Sequence, residues 1–144
     1  MKAKISNSIP IKRLEEIAWS LIDNSPDIRC RHFSFILYKG RLIATGINCT
    51  KTHPINLINR KISKVSGDDI SDQKYTCSEF NAILKLKRLT NIDTKKCILV
   101  NIRYDRNNRV AMARPCMSCE SLLNYHSFKQ VIWSTNVGNY DSIP

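Results

Sequence analysis

The chain has 144 residues, of which 42% are hydrophobic, and its 23 basic and 12 acidic side chains give a formal net charge of +11. This length fits one globular domain, 1–144, whose core can be stable without disulfides. No stretch approaches the roughly 18 apolar residues that a membrane span needs. The positive charge attracts polyanions, free nucleotides included, but it does not by itself select nucleic acid, because charge runs are commonly solvated faces.

The predicted elements follow the order α-β-β-α-β-(β)-α-β, which indicates one sheet with helices packed on its faces. Apolar residues recur at helical spacing in the helices, and β-branched or aromatic residues dominate the strands. In chain order the elements are a helix at 11–23, strands at 32–38 and 41–47, a helix at 77–89, a strand at 96–103, a short extended piece at 109–113, a helix at 116–125 and a strand at 130–134. We assign Phe33, Phe35 and Trp19 to the core.

Two segments lie outside this pattern. Residues 1–8 lack the apolar run of a signal peptide, so we expect a cytoplasmic protein. Residues 48–75 are polar and weakly periodic, with room for a short helix at 55–62. A loop this long predicts a lid over a pocket, a track for nucleic acid or a solvated mobile loop.

Three cysteines and one glutamate form the most informative pattern in the chain. Cys77 and Glu79 open the helix at 77–89, and Pro115, Cys116 and Cys119 open the helix at 116–125. Cys116 and Cys119 are one helical turn apart, and the positive end of a helix favours thiolates. Three sulfurs fill three of the four tetrahedral positions of Zn²⁺ and leave the fourth open, as in catalytic sites. The sequence therefore predicts a zinc site with a carboxylate beside it.

Each of these residues also has a structural interpretation. The run Thr76-Cys77-Ser78-Glu79 fits a capping box, in which Glu79 reaches back to its own helix start. Cys77 alone could be a buried apolar thiol. The remaining cysteines, Cys30, Cys49 and Cys97, lack ligand spacing and are predicted to be free thiols in a reducing compartment. Neither His32 nor His126 shows a sign of a partner.

The pattern C-x-E…P-C-x-x-C resembles the signature of the zinc-dependent nucleobase deaminases, and the chain is similar to the cytidine deaminase superfamily. This resemblance implies an α/β fold, a three-layer α-β-α sandwich around a mixed sheet of about five strands. It also implies a zinc-dependent hydrolase in which Cys77, Cys116 and Cys119 hold Zn²⁺ and Glu79 carries protons. The all-cysteine site is similar to that of free-nucleoside cytidine deaminases, and residues 51–54 resemble a stretch in small virus-encoded members.

One position departs from the all-cysteine relatives. Those relatives usually carry an arginine directly after the glutamate, where it offsets the charge of the third thiolate, and this chain has Phe80 there. Three thiolates and Zn²⁺ sum to −1, which raises the pKa of a bound water unless a positive group is near. Arg114, which precedes Pro115, is our candidate for that group, although a solvated arginine is the plainer interpretation.

The resemblance also suggests substrate-binding residues around the site. Asn48 follows the second strand, where an asparagine commonly contacts the sugar in the superfamily. Lys51 or His53 could meet a phosphate, and Trp133 at the end of the last strand could stack on a base. We also count Arg114 and Ser134 among the substrate-binding candidates. The alternatives are that Asn48 and residues 51–54 only form turns and that Trp133 belongs to the core.

Three functions remain open from the sequence. The first is conversion of cytosine to uracil in a free (deoxy)cytidine nucleoside or nucleotide. The second is deamination of cytosine, or less readily adenine, in single-stranded DNA or RNA, which the basic charge favours. The third is a non-catalytic zinc-stabilised binding domain, in which a residue such as His53 closes the metal site. We expect no membrane association, and an oligomer is compatible with each of the three.

Overall fold

The computed structural model describes residues 9–22, 30–48, 77–89 and 91–143. Apart from Asn48, the predicted loop at 48–75 lies outside the described residues, and with it the helix at 55–62, Lys51 and His53. Thr76 and Cys49 are also outside them. Within the described ranges, no helix is long and apolar enough to cross a membrane.

The predicted helices and strands are present, with their ends moved by no more than two residues. The helices are α1 (Ile11–Leu21), α2 (Ser78–Lys87) and α3 (Met117–His126). The strands are β1 (Cys30–Tyr38), β2 (Arg41–Ile47), β3 (Cys97–Asp105), β4 (Val110–Ala111), β5 (Gln130–Ser134) and β6 (Tyr140–Ile143). A short 3₁₀ turn at Thr94–Lys96 leads into β3.

The sheet has the order β2-β1-β3-β5-β6, and β4 pairs with β3 beside this path. β3 and β5 are parallel and every other described pair is antiparallel, so the sheet is mixed. The β1–β2 hairpin turns at Lys39 and Gly40, whose φ angles of 51° and 77° are those of a tight primed turn. α3 forms the crossover that parallel neighbours require.

Helices cover both faces of the sheet, which confirms the predicted three-layer sandwich. On one face, Leu14 and Ala18 of α1 pack with Phe33 and Phe35, both fully buried as predicted. On the other face, α2 and α3 bury a second apolar cluster that includes Ile83 and Leu122. Cys77 and Cys119 belong to this second cluster, so the cysteines lie on the α2 and α3 side of the sheet.

Two features differ from the sequence prediction. Trp19 is 53% exposed, so its assignment to the core was wrong. It lies beside the buried stripe of α1 and makes a T-shaped contact with Tyr104, at 5.6 Å between ring centroids. The edge strand β6 was not predicted, because its four residues alternate weakly in polarity. Gly138, with a φ of 81°, forms the turn that brings β6 back against β5.

Gly46 sets the distance between α2 and the sheet. A Cβ atom at this position would lie 2.0 Å from the Ser78 carbonyl oxygen and 2.4 Å from the Ala82 backbone nitrogen. Only a residue without a side chain allows this approach. The start of α2, which carries Cys77 and Glu79, is therefore seated directly on β2.

Candidate functional site

Three cysteine sulfurs meet where α2 and α3 begin. Cys77 is the N-cap of α2, Cys116 is the N-cap of α3, and Cys119 lies in the first turn of α3. The three Sγ atoms, hereafter the cysteine cluster, all lie within 4.8 Å of one another. Tetrahedral Zn–S bonds of about 2.3 Å place sulfurs about 3.8 Å apart, so the donor set and its spacing fit a zinc ion.

The surroundings of the cysteine cluster disfavour thiolates in the absence of a cation. Hydrogen bonding with Cys116, followed by burial and the charge of Glu79, raises the pKa of Cys77. Burial is the main cause that raises the pKa of Cys119 well above the usual range of a thiol. Metal binding must therefore displace protons, and a divalent cation supplies the positive charge that three adjacent thiolates need.

The cysteine cluster offers three protein ligands, which is the number typical of a catalytic zinc site. Among the described residues, no histidine, aspartate, glutamate or further cysteine joins the three sulfurs. Glu79 is close enough to raise the pKa of Cys77 and Cys119 but is not one of the grouped donors. The proposed closing ligand His53 lies outside the described residues, so that alternative stays a prediction.

Glu79 is a buried carboxylate, 1% exposed, in the first turn of α2. Its Oε1 atom accepts a hydrogen bond from Ser78 Oγ at 2.8 Å and lies 3.3 Å from Ser34 Oγ. The N-cap of α2 is Cys77, which makes no side-chain capping bond. Among the described residues, neighbouring hydroxyls engage Glu79. The capping-box interpretation also involves Thr76, which lies outside these residues, so it stays a prediction.

A row of residues crosses the sheet beneath this site. Gly46, Ser34, Asn101 and Trp133 occupy paired positions on β2, β1, β3 and β5. Ser34 and Asn101 are fully buried, and Ser34 Oγ donates to Asn101 Oδ1 at 2.6 Å. The sheet therefore supplies buried polar groups at the level where α2 carries Glu79.

Sequence reasoning missed four of these polar residues. His32 shows no sign of a partner in the sequence, yet its Nε2 atom is 3.5 Å from Glu79 Oε1. Ser34, Ser78 and Asn101 were not considered. Strand alternation offered a partial signal, because it places His32 and Ser34 on one face of β1 and the core residues Phe33 and Phe35 on the other.

Asn48 and Arg114 lie next to groups of the site. The Asn48 side-chain oxygen accepts a hydrogen bond from the His32 backbone N–H at 3.2 Å, which fixes Asn48 beside the residue that contacts Glu79. The Arg114 guanidinium lies over the Trp133 ring, 5.5 Å from its centroid, and 3.9 Å from Glu120 Oε1. Glu120 therefore shares the positive charge that we expected to offset the third thiolate.

The other predicted residues have defined places in the fold. Trp133 is 5% exposed and packs in the apolar cluster that contains Cys77 and Cys119. The Ser134 hydroxyl donates to the Ala111 carbonyl at 2.8 Å and accepts from the Arg103 N–H at 3.2 Å. Ser134 thus links β3, β4 and β5 through backbone groups, and its proposed contact with a substrate stays a prediction.

Comparisons with solved structures identify proteins with a similar fold. The dCMP deaminase from the cyanophage S-TIM5 aligns with a TM-score of 0.56 at 17% identity, over 88% of this chain and 84% of that one. The cytidine deaminase from Mycobacterium leprae aligns with a TM-score of 0.54 at 18% identity, over 93% of each chain. No protein-family model and no curated protein matches the sequence. The predicted resemblance is confirmed at the level of the fold, which is the cytidine deaminase-like α/β fold.

Proposed function

We propose that this protein is a zinc-dependent hydrolytic deaminase that converts cytosine to uracil in a free (deoxy)cytidine nucleoside or nucleotide. The observation that carries this proposal is the pairing of two groups from separate stretches of chain. Three sulfurs lie within 4.8 Å of one another, and a buried carboxylate that is not grouped with them lies close enough to shift the pKa of two of them. Hydrolytic deamination at a zinc site needs both an ion and a proton carrier.

Each group has a separate task in this reaction. When bound by the cysteine cluster, zinc would lower the pKa of a water molecule toward neutrality and so supply the nucleophile. Glu79 takes one proton of that water and delivers it to the ring nitrogen N3, then takes the proton of the hydroxyl added at the amine-bearing carbon and gives it to the departing amine. A C–O bond forms at the amine-bearing carbon, the C–N bond breaks, and ammonia and the uracil product leave. Burial of Glu79 keeps this proton transfer out of bulk water.

The remaining residues form the proposed substrate pocket. We assign the sugar contact to Asn48, a base or phosphate contact to Arg114 and Trp133, and a phosphate contact to Lys51 or His53. Support comes from the position of Asn48 beside His32 and from the Arg114 stack on Trp133. The contact of Ser134 is the weakest of these assignments, because its hydroxyl already bonds two backbone groups.

The named activities of the two structural neighbours, on dCMP and on cytidine, support a free nucleotide or nucleoside as the substrate class. The net charge of +11 also suits a phosphorylated substrate, and it supports single-stranded nucleic acid as the second candidate. We propose a cytoplasmic setting, because the four cysteines whose side chains are described form no disulfide.

A substrate panel tests this proposal. Cytidine, deoxycytidine, their monophosphates and a single-stranded oligonucleotide are each assayed for ammonia release, with the zinc-loaded protein and its Glu79→Gln variant. We expect turnover of a free cytosine substrate by the wild type, and a loss of at least about 100-fold in the variant, within the range assigned to general acid–base groups. Both proteins should hold the same amount of zinc, since Glu79 is not grouped with the sulfurs.

Ionic strength separates the two substrate classes. Binding of a polynucleotide weakens steeply with salt, because every neutralised phosphate releases counterions, whereas a nucleoside shows little such dependence. If only the oligonucleotide is deaminated, and this activity disappears as the salt concentration is raised, the second candidate, deamination of single-stranded nucleic acid, is supported. Zinc without ammonia release from any cytosine substrate would instead favour the non-catalytic binding domain.

A further inference from the structure

The two carboxylate oxygens of Glu79 have different surroundings. Oε1 accepts a hydrogen bond from Ser78 Oγ at 2.8 Å, and Ser34 Oγ and His32 Nε2 lie 3.3 and 3.5 Å from the same atom. In the described part of the chain, no residue donates a hydrogen bond to Oε2. Among these residues, one oxygen is therefore held by its neighbours, and the other is left as an acceptor.

Ser34 extends this contact across the sheet. Its hydroxyl oxygen lies 2.7 Å from Ser78 Oγ and 2.6 Å from Asn101 Oδ1, and all three side chains are fully buried. Asn101 and Ser34 are paired positions on neighbouring strands, so their separation is fixed by the register of β1 and β3. Buried hydrogen-bond chains of this kind restrict side-chain orientation, because an unpaired polar group is costly there.

The same chain of contacts reaches the second half of the cysteine cluster. Asn101 Nδ2 donates to the Ala113 carbonyl at 3.2 Å, and Ala113 is held in turn by its N–H bond to the Ser134 carbonyl at 2.9 Å. Ala113 lies three residues before Cys116. Close polar contacts thus connect the carboxylate on α2 with the segment that delivers Cys116, although the two come from distant parts of the sequence.

We propose that Ser34 and Ser78 are positioning residues that hold Oε1 of Glu79, so that Oε2 faces the water and the ring nitrogen during proton transfer. This inference rests on the deamination proposed above. Ser78 donates to the carboxylate directly. Ser34, whose hydroxyl is held by its bond to Asn101, lies against both Ser78 Oγ and Glu79 Oε1, at 2.7 and 3.3 Å. A serine that only filled space at either position would be replaced by alanine without an effect on the chemical step.

The test compares Ser34→Ala, Ser78→Ala and the double variant on the substrate that the panel identifies. We expect kcat to fall by roughly 10- to 100-fold in each single variant, with KM and zinc content nearly unchanged, because a displaced catalytic group can cost that much. The double variant should be no slower than the worse single variant, since both hydroxyls act on one oxygen. Ser78→Thr, which keeps the hydroxyl, should recover most of the lost rate.

A matched control removes a buried serine hydroxyl elsewhere. Ser142 on the edge strand β6 is 2% exposed, and Ser142→Ala should leave kcat unchanged. An unchanged kcat in both Ser34→Ala and Ser78→Ala would overturn the proposal, as would effects that simply multiply in the double variant.

A second readout does not depend on turnover. The carboxyl stretching band of Glu79 is obtained as the infrared difference between the wild type and Glu79→Gln, and Ser78→Ala should shift this band. If the wild type deaminates no cytosine substrate, the proposed function fails, and the band alone then decides whether Ser78 holds the carboxyl group. A band at the wild-type position in Ser78→Ala would overturn the positioning role.

Discussion

Gly46→Ala is the substitution whose effect can be worked out most directly from the structure. The added Cβ would lie 2.0 Å from the Ser78 carbonyl oxygen, whereas ordinary contact begins near 3.4 Å, so the start of α2 must retreat by about 1.4 Å. Both close atoms belong to backbone, which cannot rotate away as a flexible side chain can. Because Ser78 lies between Cys77 and Glu79, the retreat moves a metal ligand and the carboxylate together.

Two opposing effects decide whether Gly46→Ala raises or lowers the free energy of unfolding. Replacing glycine by alanine stabilises a protein by about 0.4–1 kcal/mol when the backbone accepts it, because the unfolded chain loses freedom. Overpacking costs about 1–3 kcal/mol, occasionally more, and a clash of this depth belongs at the upper end. We therefore expect the free energy of unfolding to fall by roughly 2 kcal/mol or more, with weaker zinc binding.

Urea denaturation and zinc titration measure these two quantities. Gly40→Ala is the control: its φ of 77° strains an alanine, but no heavy atom lies within 4 Å of the added Cβ. That variant should lose about 1 kcal/mol and keep the zinc affinity of the wild type. If Gly46→Ala is as stable as the wild type and binds zinc equally well, α2 is not seated on β2 as described.

Two further predictions concern α3. Leu122→Ala removes a side chain that is 1% exposed and should lower the free energy of unfolding by about 2–5 kcal/mol. The control Asn124→Ala, on the exposed side of α3, should change it by less than about 0.5 kcal/mol. Equal urea midpoints for the two variants would contradict the packing of α3. Burial, followed by the charge of Lys87, lowers the pKa of His126 below its ordinary 6.5. Below about pH 6.5 the unfolded chain therefore binds more protons than the folded protein, and the free energy of unfolding should fall as the pH drops. His126→Gln should flatten this part of the stability curve, and an equally steep curve would refute the assignment.

The parts of the fold that sequence reasoning predicted have local causes. Alternation of apolar residues marked β1, and the turn at Lys39 and Gly40 marked the hairpin, because both signals act between near neighbours in the chain. The cysteine pattern was visible for the same reason: Cys116 and Cys119 are one turn apart, and Cys77 and Glu79 share one helix start. Each of these groups is positioned by a single element.

The missed parts of the site depend on contacts between elements. Ser34 and Asn101 are 67 residues apart, and only the register of β1 against β3 brings them together. His32 reaches Glu79 because α2 is seated closely on the sheet, a distance that Gly46 sets and that no local pattern encodes. Buried polar side chains on a strand, such as Ser34 between core phenylalanines, are nonetheless a signal worth using, because burial without a partner is costly.

The proposed chemistry depends on one zinc ion in the cysteine cluster, and metal analysis of purified protein measures that ion. We predict one zinc per chain in the wild type and in Cys97→Ser, and a loss of stoichiometric zinc in Cys119→Ser. The two substitutions are matched, since both cysteines are fully buried in the same apolar cluster and only Cys119 belongs to the metal site. A wild type without stoichiometric zinc, or a Cys119→Ser variant that binds it as tightly as the wild type, would contradict the account.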